Sequence, residues 1–281
     1  MKPDRPSATA FRVAERRAVH QVLDRPLVLD DPIALRIIGP RAAAAIRAHP
    51  RRFDSGFGRS LRLLLVVRSR CAEDALAAAV ADGVRQYVVL GAGLDTFAYR
   101  NPYAAEQLRV FEVDMPATQA WKRDLLARTK IGEPATLTFV PVDFEKQALP
   151  ERLREAGFRS DQPAFFSWLG VSMYLTRDAV LQTLRFVAGC ASGGITFDYM
   201  MPPGRLPLLR RIGFHFVAWR VARAGEPWKT WFEPGDLARE LHAMGFARLE
   251  DMDGVALDQR YFGGREKHVN GMSAGRVMTA R

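Results

Sequence analysis

The residues best equipped for chemistry in this 281-residue chain lie between Gln86 and Asp114: Gly91 and Gly93, an early carboxylate at Asp95, and two further acids at Glu112 and Asp114. Tyr87-Val88-Val89-Leu90 reads as a short buried strand that runs straight into Gly91-Ala92-Gly93. Glycines in such a turn let the backbone pass close to a ligand where a β-carbon would clash. Leu108 opens a second apolar run ending in Glu112-Val113-Asp114. These acids follow the glycines by roughly 20 residues, the interval at which a nucleotide-type cofactor has its ribose hydroxyls held. Glu112 and Asp114 are two apart and share a strand face, so the pattern does not choose between them. A dinucleotide would call for a third glycine three positions after Gly93, to seat a phosphate at a helix N-terminus. Thr96 stands there, and Asp95 suits a cofactor with an amino group and no phosphate.

S-adenosylmethionine is such a cofactor. Four stretches, Val89-Leu90-Gly91-Ala92-Gly93-Leu94-Asp95-Thr96, Phe111-Glu112-Val113-Asp114-Met115-Pro116, Val140-Pro141-Val142-Asp143-Phe144 and Gly170-Val171-Ser172-Met173-Tyr174-Leu175, resemble successive motifs of the leucine carboxyl methyltransferase family in order and spacing. The resemblance runs from about Ser7 to Asp251 and is greatest to the bacterial branch, which includes polyketide-pathway carboxyl O-methyltransferases. It implies a class I methyltransferase fold and transfer of a methyl group from S-adenosylmethionine to a carboxylate of a small natural product or a peptide C-terminus, with a phenol as the other open acceptor.

The resemblance also assigns residues. Arg68, in the helix before the first strand, and Tyr174, after the fourth, are expected to touch cofactor and substrate carboxylate. Gly91 and Gly93 make room for the methionine portion, Asp114 or Glu112 accepts from the ribose hydroxyls, and Asp143 with Phe144 meets the adenine. Arg16 or Arg17 matches a further cofactor contact. The chain departs from the family at Leu169, where relatives carry an acid near the cofactor. That departure keeps a vestigial, non-catalytic cofactor-binding protein in view. An NAD-dependent oxidoreductase is opposed by the absent third glycine, and a serine hydrolase by Tyr174 in place of the last glycine of GxSxG.

Positioning these residues calls for an α/β fold. Strands at 87–90, 108–114, 137–142, 164–168 and 195–199 alternate with helices at 116–129, 150–156 and 177–188, which predicts a doubly wound, mostly parallel sheet with ligands at the carboxyl ends of its strands. Two further strands, 247–251 and 276–279, bring it to seven. Residues 7–83 predict a helical cap: a helix from Ser7 to before Pro26, a start at Asp31-Pro32, a helix at 41–48, a loop at 49–52 and a long helix from about Gly58 to Ala81. Residues 86–199 form the cofactor core, 200–232 a lid with a helix over 206–223 shaping the substrate pocket, and 233–281 a helix at 234–244 and the end of the sheet. We expect one domain.

Composition narrows the function classes. The 48% hydrophobic content supports a substantial core. The net charge of +10 invites a nucleic-acid reading, but only six of the 41 basic residues are lysine and the arginines are spread throughout, with no zinc knuckle or RNP motif. Cys71 and Cys190 form no framework, which suits a reducing cytoplasm. No run approaches the about 18 apolar residues of a membrane span. The five histidines show no ligand spacing, so no metal is expected.

Overall fold

The computed structural model describes residues 8–143, 147–191, 193–205, 208–223, 227–263, 269 and 274–281. Its centre is a seven-stranded sheet: β1 (Gln86–Leu90), β2 (Arg109–Asp114), β3 (Leu137–Pro141), β4 (Ala164–Trp168), β5 (Gly194–Met200), β6 (Leu249–Met252) and β7 (Gly275–Ala280). The spatial order is β3-β2-β1-β4-β5-β7-β6. The first five strands pair in parallel, while β7 runs antiparallel to both β5 and β6. Every residue of β1 and β4 is buried, because helices cover both faces of the sheet at its centre. The chain crosses from β3, beyond β2 on one side of β1, to β4 on the other, and that reversal opens a crevice at the carboxyl ends of β1 and β4.

Four helices precede the sheet: α1 (Ala8–Leu23), α2 (Ala34–Ile37), α3 (Pro40–Ala48) and α4 (Gly56–Ala81). Ser55 caps α4 by accepting from the amide of Gly58, so the helix starts two residues before the expected glycine. Ala18, Ile37 and Ile46, all fully buried, join the first three helices in one apolar cluster. Arg62 of α4, 1% exposed, fastens this cap through Asp24, Asp54 and the carbonyl of Phe53. The start expected at Asp31-Pro32 yields only the single turn of α2: Oδ1 of Asp31 accepts from the amide of Ile33, and Gly39 (φ +86°) with Pro40 ends the run. The expected loop at 49–52 is instead a 3-10 turn, Pro50–Phe53. Ser7 lies outside the described residues.

The remaining helices are α5 (Pro116–Arg128), α6 (Leu149–Glu155), α7 (Arg177–Ala188), α8 (Leu208–Arg223), α9 (Pro234–Met244) and α10 (Gly254–Phe262). The sequence reading had no α10, although its punctuation is present: Asp253 caps the amides of Val255 and Ala256, and Gly263 closes it in the left-handed region. No helix among the described residues is long and apolar enough to cross a membrane.

Candidate active site

A cavity of about 360 Å³ lies at the carboxyl ends of β1, β2 and β4, walled by α1 and α4. Its volume falls in the range of small-molecule and cofactor sites. Gly91 (φ +67°) and Gly93 (φ +50°) both occupy the left-handed region, and the turn folds back over β2 as the amides of Gly91 and Ala92 donate to the carbonyl of Val113 at 2.8 and 3.0 Å. The reason for glycine here differs in part from the sequence expectation. A β-carbon at 91 would lie 2.3 Å from Cγ2 of Val171, and one at 93 would lie 3.1 Å from Cβ of Ala10. The chain's own packing on this turn therefore demands glycine before any ligand does.

The two acids after the glycines have separate surroundings. Asp114 lines the cavity, with Oδ2 accepting from the Gly93 amide at 2.6 Å and Oδ1 from Met115 at 2.7 Å. Burial pushes its carboxyl upward against those two amides. Glu112 is not among the lining residues. Its Oε2 accepts from Nζ of Lys122 at 2.5 Å, both side chains being 1% exposed, and burial pushes its carboxyl up to about 7 in spite of that ammonium. The same Nζ donates to the carbonyl of Asp95 at 2.7 Å, so the pair pins the glycine turn to α5. A lysine ten residues further on thus holds Glu112 in the frame while Asp114 lines the cavity.

Asp95 lines the cavity, and the cap holds it there. Arg17 of α1 donates from Nη1 to Asp95 at 2.9 Å and from Nη2 to Asp31 and to the hydroxyl of Thr96, both at 2.7 Å. Thr96 in turn donates to Asp31 at 2.6 Å. Thr96, standing where a dinucleotide site has glycine, thus ties cap to turn. Burial alone would raise the Asp95 carboxyl, but Arg17, Lys122 and Arg100 outweigh it and lower it. Of the two arginines left open by the resemblance, Arg17 lines the cavity, whereas Arg16 donates to the carbonyl of Gly58.

On the opposite wall stands Arg68 of α4, 8% exposed. Its Nη1 donates to Oδ2 of Asp198 on β5 at 2.6 Å, and its Nε has no partner among the described residues. Asp198 accepts on Oδ1 from the amide of Gly170, also at 2.6 Å. Tyr174 lies in a 3-10 turn, Ser172–Tyr174, and lines the cavity with Leu169 and Gly170. Asp143 lines it beyond the end of β3, and Phe144 lies outside the described residues. The cavity therefore gathers Arg68, Gly91, Gly93, Asp95, Asp114, Asp143 and Tyr174, and leaves Glu112 out. Among the described residues, none from 200 to 232 lines it. That segment acts one step removed: the amide of Lys229 donates to the carbonyl of Met173 and the hydroxyl of Thr230 to that of Leu175, on either side of Tyr174. Asp198 was missed altogether. Its signal was a lone acid inside the apolar run of β5, where a buried charge is costly without a partner. Among the described residues no group of three or more His, Cys, Asp or Glu is placed to hold a metal ion.

The sequence profile of leucine carboxyl methyltransferases matches residues 10–188, well over half the chain and all of the cavity wall but Thr9. The chain belongs to that family. Among its relatives is a protein of Bacillus subtilis, YktD, provisionally named as an S-adenosyl-L-methionine-dependent methyltransferase, 30% identical over 96% of each chain. Another, of Mycobacteroides abscessus and similarly named, is 36% identical over 72% of this chain and 67% of its own. Among solved structures, a provisionally named methyltransferase from Thermobifida fusca has a TM-score of 0.59 at 17% identity and covers 99% of this chain and 95% of its own. A DUF574 family protein from Streptomyces avermitilis gives 0.57 at 16% identity, over 95% and 96%. These two likenesses bear on the fold, a class I methyltransferase sheet with flanking helices. Family membership makes the chain an S-adenosylmethionine-dependent methyltransferase, and sets the nicotinamide reading aside.

The residues present fit that cofactor. A carboxylate at the end of β2, aimed into the cavity, suits vicinal hydroxyls; Asp95 suits an ammonium; and the glycine turn presents backbone rather than side chains.

Proposed function

We propose that this methyltransferase esterifies a carboxylate of a small molecule, in the manner of the polyketide-pathway carboxyl O-methyltransferases of the bacterial branch, with a peptide C-terminus as the larger acceptor of the same chemistry. One observation carries the reading: Arg68 is a buried guanidinium on the cavity wall, fixed at Nη1 by Asp198 and with no partner for its Nε–H among the described residues. Asp198 already balances its charge, and the donors that remain on a planar guanidinium match the two oxygens of a carboxylate. When bound, S-adenosylmethionine supplies a methyl carbon on a cationic sulfur, open to in-line displacement by an oxygen nucleophile.

The protein's share is then positioning and exclusion of water. A carboxylate, with pKa near 4, arrives ionised at neutral pH and needs no general base, only donors to orient it. In this reading Arg68 and Tyr174 orient the acceptor and the amino-acid end of the cofactor. Asp114 holds the ribose, Asp95 the ammonium, and Asp143 with Phe144 the adenine. Glu112 is assigned to the frame. Residues 1–281 act as one unit in which cap and sheet share the cavity. The two free, buried cysteines support a reducing cytoplasm as its setting.

The test is methyl transfer from isotopically labelled donor to a panel of small carboxylic acids and phenols, with wild type, Arg68→Lys and Arg68→Ala. A planar guanidinium grips a carboxylate through parallel hydrogen bonds and an ammonium cannot, so turnover should fall in that order. Equal turnover by Arg68→Ala on an accepted acid would remove the reading's support.

A further inference from the structure

We infer that Asp198 is a positioning residue for methyl transfer, which acts by fixing the guanidinium of Arg68 and the backbone at Gly170 together. This rests on the role proposed above for Arg68. Asp198 sits in the middle of β5, its side chain 11% exposed, and it is not part of the cavity wall. Each carboxylate oxygen takes one short hydrogen bond, Oδ2 from Arg68 and Oδ1 from the Gly170 amide, both at 2.6 Å. Its carbonyl accepts from the hydroxyl of Ser172 at 2.6 Å, which fastens the turn bearing Tyr174 to the same strand residue. One side chain on a rigid strand thereby sets three features of one wall: the arginine, the glycine turn and the tyrosine turn.

Charge and geometry both bear on this. Two charge-assisted bonds on opposite oxygens fix the carboxylate plane, and a planar guanidinium held at Nη1 has its remaining donors directed by that plane. Gly170, at φ +76°, has no β-carbon where Nη2 of Arg68 lies; a β-carbon there would be 2.8 Å away. The arginine therefore rests against bare backbone, and Asp198 holds both surfaces of the contact. Leu169, at the place where the family acid was expected, lies beside the amide that Asp198 secures from β5. An amide side chain could not replace the carboxylate, because both facing groups are donors and asparagine offers one acceptor.

The experiment is a double-mutant cycle on the dissociation constant of S-adenosylhomocysteine, by titration calorimetry, for wild type, Asp198→Asn, Arg68→Met and the double variant, with circular dichroism as the folding control. Asp198→Asn should weaken binding about tenfold, the scale of one charged hydrogen bond. Arg68→Met should weaken it at least as much, and the double variant no further than Arg68→Met alone. In the proton NMR spectrum, the Gly170 amide should lie downfield in wild type and Arg68→Met and move upfield in Asp198→Asn. Should Asp198→Asn fail to fold, Asp198→Glu takes its place, with a smaller loss that again vanishes in the Arg68→Met background. Wild-type affinity in the Asp198 variants alongside a weakened Arg68→Met would overturn the inference alone. The same fold loss with and without Arg68 would also overturn it, reducing Asp198 to a stabilising residue. Wild-type affinity in Arg68→Met would instead bring down the role given to Arg68, and this inference with it.

Discussion

Arg68 and Gly170 meet where the glycine lacks a side chain: a β-carbon on Gly170 would lie 2.8 Å from Nη2 and 3.1 Å from Nη1 of the arginine. Gly170→Ala should therefore lower kcat/KM by about tenfold or more, since it displaces the guanidinium and forces an alanine into the left-handed region at a cost of about 1 kcal/mol or more. Steady-state methyl transfer and homocysteine-product affinity measure it. Unchanged kinetics would mean that the guanidinium position is immaterial.

The separation of Glu112 from Asp114 predicts a contrast. Asp114→Asn should weaken S-adenosylhomocysteine binding by about 1 to 3 kcal/mol through loss of a charged acceptor, beside a fall in Tm from the amide of Gly93 or Met115 that asparagine cannot accept from. Glu112→Gln should leave that affinity unchanged and act on Tm alone, because it alters the acceptor that Lys122 bonds inside the frame while the cavity wall keeps its charge. Calorimetric titration and thermal unfolding of both variants would show a single shared phenotype if the assignment were mistaken.

Much of this arrangement was legible because it is local. Tyr87-Val88-Val89-Leu90 and Ala164-Phe165-Phe166-Ser167-Trp168 are continuous runs suited to strands buried on both faces, and the glycine turn between strands needs only its own sequence to be recognised. What escaped the sequence is tertiary. Asp198 and Arg68 are 130 residues apart, and it is Lys122 that pairs with Glu112 while Asp114 lines the cavity. Thr96 signalled the absence of a phosphate site, yet nothing local shows that its hydroxyl is spent on Asp31 and Arg17. Which surface residues 200–232 cover was not legible for a related reason: an amphipathic helix and aromatic residues do not reveal it.

Stability should depend on pH through the cap. Burial pushes Asp24 upward, but hydrogen bonds from His20 and Arg62 outweigh it and hold its carboxyl at about 2, below the ordinary 3.8. A carboxyl lowered in the folded state adds stability that is fully present above its unfolded value, and that is lost as pH falls through the folded one. Asp24→Asn should thus be less stable than wild type at pH 7, and the gap should close between about pH 4 and pH 2. Urea unfolding of both proteins across that window checks the sign; a gap that widened on acidification would contradict it.

Leu169 lines the cavity without offering a charge. Leu169→Glu should favour the cationic cofactor over its neutral product, tightening S-adenosylmethionine several-fold relative to S-adenosylhomocysteine, because a carboxylate nearby stabilises a sulfonium. The ratio of the two dissociation constants, with circular dichroism as control, is the readout. A fall in that ratio's preference for the sulfonium would show that position 169 faces away from the cofactor's charge.

The central claim, that the methyl group goes to a carboxylate oriented by Arg68, is tested most directly by the linkage in the product. After transfer of an isotopically labelled methyl group, mild alkali should release the label as methanol, as from an ester, and Arg68→Ala should abolish that release while still folding. Label that resists alkali as an ether or amine, formed equally well by Arg68→Ala, would contradict the account.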